Sequence, residues 1–423
     1  MIESITLKNF KSFTDATLPF GGLTLLIGTN ASGKSNIRDG LRFLHGISRG
    51  YTLAEIIGEK WVEGGVLQWK GIRGGLREAC RRNGGQARQF TIAARSKLSD
   101  GRTATYSITV DVGVAGKVAT VSEESLLVSK AGQYVFHTAP EGDELTDNSP
   151  HQIHARMRKV ARKGFKGPAL EFRNDRPILN QVLEHPETQR LTVREDCKAF
   201  LDTIASFRFL DLEPESLRRP SIPGQNILSD KGENLSSVLA GICENAEQKE
   251  ALIEWTKELT PMDVVDIKFP EVSLGGNIQL QLVESGGKEI SADSASDGTL
   301  RFLAYVAALL GKEPASLYFF EEFENGIHPN RLHLLVNLMV QRSKEANIQI
   351  AGTTHSPAML DFLDEKTLES AALIYRTKEG SKIRSFRDIP ELWRALGSRK
   401  AGGLHAAGWF ENVMSFCEND DRT

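Results

Sequence analysis

The stretch Leu23–Gly40 constrains the fold of this chain more than any other. Its first five residues are apolar apart from one threonine, which predicts a short buried strand. The next eight, Gly28–Ser35, read GTNASGKS and match the phosphate-binding pattern GxxxxGK[ST] in full. Asn36–Leu44 then carries apolar residues at helical spacing. A strand, a glycine loop and a helix in this order form the context in which the pattern binds nucleotide phosphates.

Each residue type in the loop suits that chemistry. Gly28 and Gly33 allow backbone angles that aim amide N–H groups into one concavity, and the helix N-terminus adds a positive dipole end. Lys34 can reach the β- and γ-phosphates, and the Ser35 hydroxyl can ligate Mg²⁺. The alternative, a glycine-rich turn that matches by chance, is disfavoured because both flanks fit. The residues expected to contact nucleotide are Gly28, Asn30, Ala31, Ser32, Gly33, Lys34, Ser35 and Asn36.

Composition excludes several classes of protein. With 423 residues, 40% of them hydrophobic and 25% charged, the chain has the profile of a soluble globular protein of two or three lobes. The longest apolar runs, such as Phe302–Leu310, are shorter than the ~20 residues of a membrane span. The N-terminus lacks signal-peptide features. The four cysteines are far apart with no CxxC, which favours a reducing cytoplasm. The predicted location is cytoplasmic, with no membrane partner.

The rest of the chain divides into three predicted domains. Residues 1–48 and 260–423 form the core around the glycine loop, 49–148 a β-rich lobe, and 149–259 a mainly helical inserted lobe. Alternating β-rich segments over Gln89–His137 predict a β-meander. Ser149 and Pro150 have the form of an N-cap and an N1 proline, so a helix is expected over 150–163.

A second acidic element is expected wherever a phosphate-binding loop hydrolyses nucleotide. The apolar strand Leu317–Phe320 is followed at once by Glu321 and Glu322. Successive strand residues point to opposite sides. Glu321 can therefore serve the metal ion while Glu322 serves the attacking water. The alternative is a pair of solvated charges after a strand.

Three flanking segments favour the catalytic interpretation. SASDGTLR, at 294–301, precedes an apolar helix, and FENGIHP, at 323–329, follows the acidic pair. A further strand, at 348–352, ends in TTHSP, which contains His355. This histidine lies one strand–helix unit beyond the acidic pair, where a γ-phosphate sensor is expected. A satisfied core histidine is the alternative.

The ordered segments LKNFKSF, GTNASGKSN, SASDGTLR, FFEEFENGIHP and TTHSP resemble the RecF/SMC/ABC-type ATPases. They are most similar to the bacterial AAA-family branch that is OLD-like but lacks a Toprim nuclease. The resemblance covers about 1–48 and 290–360. It implies an α/β fold: a P-loop NTPase of ABC-ATPase type, with a β-meander lobe and an inserted mainly helical lobe. It also implies ATP and Mg²⁺ as cofactors.

The resemblance assigns roles within one copy of the chain. Gly28–Ser35 corresponds to Walker A, with Lys34 as a catalytic residue. Glu321 corresponds to the Walker B metal residue, sharing Mg²⁺ with Ser35. Glu322 is then the general base and His355 the switch histidine.

Other roles imply a second copy. Ser296 and Gly298 correspond to a signature loop that completes the ATP site of another subunit, and Asn325–His328 to the D-loop. Hydrolysis would then require an ATP-sandwiched homodimer, and larger oligomers remain open. The resemblance also brings Lys11 near the nucleotide, although a plain surface turn is equally compatible with NFKS.

Several departures favour slow turnover. Glu321 stands where aspartate is usual, Phe323 where proline is common, and SDGT differs from LSGGQ. The resemblance does not locate the Q-loop glutamine. We expect a slow, switch-like ATPase.

The densest positive region is the predicted helix over 150–163 with the following GFKG. Such a surface could neutralise phosphates of double-stranded DNA in a sequence-independent way. The alternative is a solvated helix face above a buried apolar stripe. Arginines between residues 73 and 88 are weaker candidates, which could instead meet acidic neighbours. The candidate DNA contacts are Arg156, Arg158, Lys159, Arg162, Lys163 and Lys166.

The expected function is an ATP-driven switch or clamp that acts on DNA or on a separately encoded effector, a nuclease or toxin, in anti-phage defence. The chain after the ATP site is too short for a Toprim nuclease. The alternative is a RecF-like repair ATPase that loads other proteins on DNA. A transporter subunit is disfavoured by the large middle region, and a scaffold without turnover remains open.

Overall fold

The structure is a computed structural model, and it describes residues 1–81, 88–113, 118–129, 134–138, 151–158, 167–190, 192–260, 262–272, 275–396 and 400–409. The strands of these residues are β1 (Ile2–Phe10), β2 (Phe13–Pro19), β3 (Leu23–Ile27), β4 (Lys60–Val62), β5 (Val66–Trp69), β6 (Gln89–Lys97), β7 (Thr103–Asp111), β8 (Thr120–Ser129), β9 (Tyr134–Thr138), β10 (Gln152–Met157), β11 (Ala169–Arg173), β12 (Arg208–Leu210), β13 (Val264–Lys268), β14 (Gln281–Glu284), β15 (Glu289–Ser291), β16 (Leu317–Phe320), β17 (Gln349–Thr353), β18 (Ala372–Thr377) and β19 (Gly380–Ser385).

The helices are α1 (Lys34–Ser48), α2 (Leu53–Ile57), α3 (Gly75–Ala79), α4 (Ile178–Glu184), α5 (Val193–Ala205), α6 (Pro214–Leu217), α7 (Leu235–Cys243), α8 (Ala246–Leu259), α9 (Asp297–Leu310), α10 (Leu332–Glu345), α11 (Pro357–Asp361), α12 (Glu365–Leu368), α13 (Pro390–Leu396) and α14 (Ala401–Ala406). Short 3-10 helices cover Pro186–Arg190, Pro329–Arg331 and Phe386–Asp388. Within the described ranges, no helix has both the length and the apolar character needed to cross a bilayer.

The first compact unit comprises residues 1–20, 28–207 and 372–385. Its strands lie in the order β11-β10-β9-β8-β7-β6-β1-β2-β19-β18. Neighbours from β6 to β9 pair antiparallel, which confirms the predicted meander. Strands β6 and β7 alternate buried and more exposed residues, as expected where one sheet face meets a core.

Helix α1 packs against β1 in this unit. It buries Ile37, Leu41 and Leu44, the apolar stripe that the sequence predicts. Gly40 lets the helix approach closely, because a Cβ at this position would lie 2.8 Å from Leu7 Cδ2. Strand β1, which ends within NFKS at Phe10, thereby becomes a neighbour of the helix that follows the glycine loop.

The second compact unit comprises residues 21–27, 208–371 and 386–423. Four parallel strands lie in the order β12-β16-β17-β3. Every residue of β3, β16 and β17 is buried. Parallel strands of this kind read as continuous apolar runs because both sheet faces are covered. The carboxyl ends of β16 and β17 lie side by side, with Phe320 opposite Gly352.

The predicted helix over 150–163 is wrong for the residues that the structure describes. Residues 152–157 form strand β10, which pairs with β9 and β11. Ile153, Ala155 and Met157 are buried while the residues between them are less so, which is the period of a strand. Pairing with β9 and β11, which the local sequence does not reveal, outweighed the proline signal. Residues 159–166 lie outside the described ranges.

Strands β9 and β10, which lie on either side of the boundary predicted at residue 149, pair with each other, and β11 follows β10 in the same sheet. The two compact units also divide the chain at positions other than the predicted boundaries at 48, 148 and 259. The strands predicted over 317–320 and 348–352 agree with β16 and β17 of the structure.

Candidate nucleotide site

The glycine loop of the first unit has the backbone that the motif predicts. Gly28 has a φ of 154° and Gly33 a φ of 117°, both outside the range that side chains favour. A Cβ on Gly28 would lie 2.1 Å from the carbonyl oxygen of Ile374. Glycine is thus required at Gly28 by contact as well as by angle.

Lys34 is the first residue of α1, and its ammonium contacts the start of the glycine loop. Its ammonium donates hydrogen bonds to the carbonyl oxygens of Gly28, at 2.5 Å, and Thr29, at 3.0 Å. The side-chain oxygen of Ser32 is buried without a hydrogen-bond partner among the described residues. Asn30 and Ala31, at the crest of the loop, are exposed. The Lys34 ammonium and the Ser32 hydroxyl are hydrogen-bond donors, and Asn30 and Ala31 leave the outer part of the loop exposed. These features fit the binding of a triphosphate.

The NFKS turn supports this loop through Ser12. Asn36 Nδ2 donates to Ser12 Oγ at 2.8 Å, and Ser381 Oγ lies 2.7 Å from the same oxygen. Both hydroxyls would lie 2.9 Å from a Cβ on Gly33. Neither Ser12 nor Ser381 is among the residues predicted from the sequence. Ser12 stands within the quoted motif, whereas no local signal marks Ser381, which is distant in the chain.

Lys11 is held against α1. Its ammonium lies 2.6 Å from Asp39 Oδ2, with the Lys11 side chain 7% exposed and that of Asp39 2% exposed. It also donates to the carbonyl oxygen of Arg73 at 2.6 Å. Lys11 therefore does not belong to a plain surface turn, and its contact with nucleotide stays a prediction. Arg73 itself meets an acidic neighbour, since its Nε lies 3.3 Å from Asp39 Oδ2.

The acidic pair of the second unit follows β16 as predicted. The Glu321 N–H donates to the carbonyl oxygen of Leu210 at 3.3 Å. The Glu322 N–H donates instead to Thr353 Oγ1 at 3.0 Å, and Glu322 adopts a left-handed φ of 51°. This conformation is uncommon for residues other than glycine, and the Thr353 hydroxyl stabilises it here. Thr353 is a positioning residue that sequence analysis missed.

Glu322, Asn325 and His355 meet at the carboxyl ends of β16 and β17. Asn325 Nδ2 donates to Glu322 Oε2, and His355 Nε2 lies 4.0 Å from Glu322 Oε1. The backbone N–H of His355 donates to Glu324 Oε1. The side chains of His355 and Glu322 are 40% and 47% exposed, so His355 is not a core histidine. A carboxylate flanked by an amide and an imidazole can accept a proton from water.

Residues 294–301, called the signature segment after their predicted role, contact residues 325–328, called the D-loop segment for the same reason. Ser296 caps α9, accepting a hydrogen bond from the Thr299 N–H at 3.2 Å. A Cβ on Gly298 would lie 2.2 Å from the carbonyl oxygen of Gly326. Behind this contact, the buried Tyr305 hydroxyl donates to the carbonyl oxygen of Phe323 at 3.1 Å. Burial raises the pKa of Tyr305, which keeps this donor protonated.

Two of the six candidate DNA contacts lie within the described residues. Arg156 donates to the carbonyl oxygen of Gly167 at 3.3 Å. Arg158 donates to Asp196 Oδ2 at 2.5 Å, and its side chain is 20% exposed. The other four, Lys159, Arg162, Lys163 and Lys166, lie outside the described residues. DNA contact at these positions stays a prediction.

Comparison with known proteins identifies the family. Residues 143–361, more than half of the chain, match the family model described as "AAA domain, putative AbiEii toxin, Type IV TA system". Residues 1–56 match an AAA ATPase domain. An ATP/GTP phosphatase of Helicobacter pylori is 22% identical over 370 residues, which cover 86% of this chain and 88% of that protein.

Two further comparisons concern a short segment and the fold. An uncharacterized protein of Methanocaldococcus jannaschii is 31% identical over 77 residues, 16% of this chain and 68% of that protein. A crystal structure of an SMC head bound to the C-winged helix domain of ScpA matches with a TM-score of 0.50 and 15% identity, covering 91% of this chain and 98% of that chain. The chain therefore belongs to the AAA-domain ATPase family, on an α/β P-loop fold of the SMC-head type.

Proposed function

We propose that the chain hydrolyses ATP slowly to ADP and phosphate, as a homodimer with ATP held between two copies. The observation that carries this proposal is the cluster of Glu322, Asn325 and His355 beside two parallel strand ends. The same chain carries the Lys34-centred loop. The Helicobacter pylori relative is an ATP/GTP phosphatase, which supports nucleotide hydrolysis.

In this proposal the loop Gly28–Ser35 binds the triphosphate through its N–H groups and the Lys34 ammonium. Ser35 and Glu321 would hold Mg²⁺, which when bound neutralises charge on the β- and γ-phosphate oxygens. Glu322 accepts a proton from water as the water oxygen attacks the γ-phosphorus and ADP leaves. His355 keeps the water and the γ-phosphate aligned with Glu322.

The second copy enters through Ser296 and Gly298. Ser296 is exposed and Gly298 half-buried at the N-terminus of the 14-residue helix α9. An exposed helix N-terminus with a serine at its cap favours an anionic group. We propose that this group is the triphosphate bound to the Walker A loop of a second copy, so that neither copy alone completes a working site.

The biological role follows less directly from the site. We propose that dimerisation and release switch a separately encoded effector, a nuclease or toxin, or clamp double-stranded DNA, in anti-phage defence. The family description, which names a putative toxin of a type IV toxin–antitoxin system, supports a role in such a system. The SMC-head structure bound to a ScpA domain is a precedent for a head that docks a partner protein.

The central test compares Lys34→Ala, Glu322→Gln and a control, Glu313→Gln, on an exposed loop. Lys34→Ala should abolish ATP binding, since the loop loses its central cation. Glu322→Gln should bind ATP and accumulate as a dimer while phosphate release falls at least ~100-fold, the usual effect of losing a general base. Glu313→Gln should match the wild type. Unchanged phosphate release by Glu322→Gln would contradict the proposal and support a scaffold.

The effector role needs its own test. Purification of the chain with the products of its neighbouring genes should retain a nuclease or toxin, and ATP should change its activity. ATP-independent nuclease activity in the pure chain would overturn the effector role. Tight ATP-coupled DNA binding without any toxic partner would favour the repair ATPase instead.

A further inference from the structure

Arg218 reaches the signature segment from 79 residues earlier in the chain. It follows α6, and its guanidinium is the only basic side chain that forms an ion pair with Asp297 among the described residues. One nitrogen, Nη2, donates to Asp297 Oδ1 at 2.6 Å and to the carbonyl oxygen of Ala295 at 3.2 Å. Ala295 and Asp297 flank Ser296 in the chain, so Arg218 forms hydrogen bonds on both sides of the serine that caps α9.

The backbone of Arg218 is held in place by the buried side chain of Gln279. Gln279 Nε2 donates to the carbonyl oxygen of Arg218 at 2.9 Å and to Asp293 Oδ2 at 3.1 Å. Gln279 is 8% exposed. The Arg218 side chain is 18% exposed, whereas Asp297 is 59% exposed. The guanidinium is therefore largely fixed, while the carboxylate it pairs with faces solvent.

The negative charge of Asp297 affects the binding of an anion at the N-terminus of α9. Asp297 is the first residue of the helix, where the dipole favours anions. An acidic side chain suits the isolated helix but repels an incoming polyphosphate. The pair with Arg218 offsets this repulsion and leaves the Ser296 cap and the first N–H groups of α9 as the features presented to an anion.

We propose that Arg218 is a positioning residue for the triphosphate bound by the other copy: it neutralises Asp297 and fixes the Ala295–Asp297 turn. This inference rests on the proposed ATP-sandwiched dimer. Arg218 acts through the signature segment and leaves ATP binding by its own Walker A loop unchanged.

The first test measures ATP-driven dimerisation in the Glu322→Gln background, in which the dimer should persist. Arg218→Gln should raise the dissociation constant of the dimer about tenfold or more, the effect expected for a lost charged hydrogen bond. The affinity of the single chain for a fluorescent ATP analogue should not change. Arg219→Gln removes the same charge one residue away, at an exposed position, and should dimerise normally.

A second variant separates charge neutralisation from mere support of the fold. Adding Asp297→Asn to Arg218→Gln removes the uncompensated carboxylate, so the double variant should recover most of the lost dimer affinity. A purely structural role would not be rescued in this way, because the hydrogen bonds of Arg218 stay broken. Failure of the rescue, or normal dimerisation by Arg218→Gln, would overturn the inference.

Mixing experiments distinguish this failure from failure of the proposed function. The mixtures are measured at a concentration at which Arg218→Gln alone is largely monomeric. Mixed with Lys34→Ala, both Arg218→Gln and Ser296→Arg should then regain ATPase activity above that of either variant alone, because each mixed pair has one complete site. Glu322→Gln mixed with Lys34→Ala should stay inactive. Rescue of Ser296→Arg alone would reject the role of Arg218 and keep the sandwich. Rescue of neither would reject both.

Discussion

Gly298 and Gly326 approach so closely that a Cβ on Gly298 would lie 2.2 Å from the Gly326 carbonyl oxygen. The first belongs to α9 and the second to the turn after the acidic pair. In the proposed dimer both segments face the nucleotide of the other copy. Their contact fixes them to each other within one chain, and the Asn325–Glu322 hydrogen bond extends the same assembly to the proposed general base.

We predict that Gly298→Ala impairs this assembly. The new methyl group would overlap backbone, and overpacking of this kind costs about 1–3 kcal/mol. ATP-driven dimerisation, measured by light scattering, should weaken, while ATP binding to the single chain persists. Gly403→Ala is the matched control, because it lies in α14 with nothing within 4 Å of its Cβ. A Gly298→Ala variant that dimerises like Gly403→Ala would contradict the prediction.

The buried pair of Lys11 and Asp39 should be important for stability. Asp39→Ala leaves a buried ammonium without its carboxylate, which costs about 3–5 kcal/mol of unfolding free energy. Urea unfolding followed by circular dichroism measures this loss. Asp15→Ala breaks the exposed pair with Lys8, whose side chains are 53% and 60% exposed, and should cost below about 1 kcal/mol. Equal losses for the two variants would show that Lys11 finds another partner.

Glu124 should make stability depend on pH. Burial raises its pKa from 4.5 to about 7, although the N–H groups of Ile178 and Leu179 and the Tyr106 hydroxyl donate to it. Between these two pKa values the folded chain binds a proton that the unfolded chain has released, so unfolding free energy falls as pH rises. The stabilising effect is complete below about pH 4.5 and is lost as pH passes through 7.

Glu124→Gln removes this titration, so its unfolding free energy should vary less between pH 5 and 7.5 than that of the wild type. Urea midpoints at several pH values measure the difference. An identical slope in variant and wild type would assign the pH dependence to other groups.

Thr353 should affect turnover without affecting ATP binding. Thr353→Val keeps the shape of the side chain but removes the oxygen that accepts the Glu322 N–H. The left-handed Glu322 then loses its support, and we expect kcat to fall about tenfold, for a lost hydrogen bond of 1–2 kcal/mol. Thr353→Ser, which keeps the oxygen, should retain most activity. A KM that rises while kcat stays constant would show that Thr353 acts on binding instead.

The prediction from sequence was most accurate where a structure depends on adjacent residues. The glycine loop, α1 and the strand before the acidic pair are contiguous patterns, and the structure has each of them. It was least accurate at residues 152–157, because a short apolar–polar segment next to a proline fits both a helix and a strand. Pairing with β9 decided the outcome, and that partner is not visible in the segment itself.

The sequence alone determined the chemistry available to this protein: a phosphate-binding loop, an acidic pair after an apolar strand, and a serine–aspartate–glycine segment before an apolar helix. Tertiary structure alone decided which distant side chains support them, such as Ser381 beside Ser12 and Arg218 beside Asp297. The physical reason is range. Backbone angles and periodicity are local properties, whereas ion pairs, close glycine contacts and strand pairing depend on residues that only the folded chain brings together.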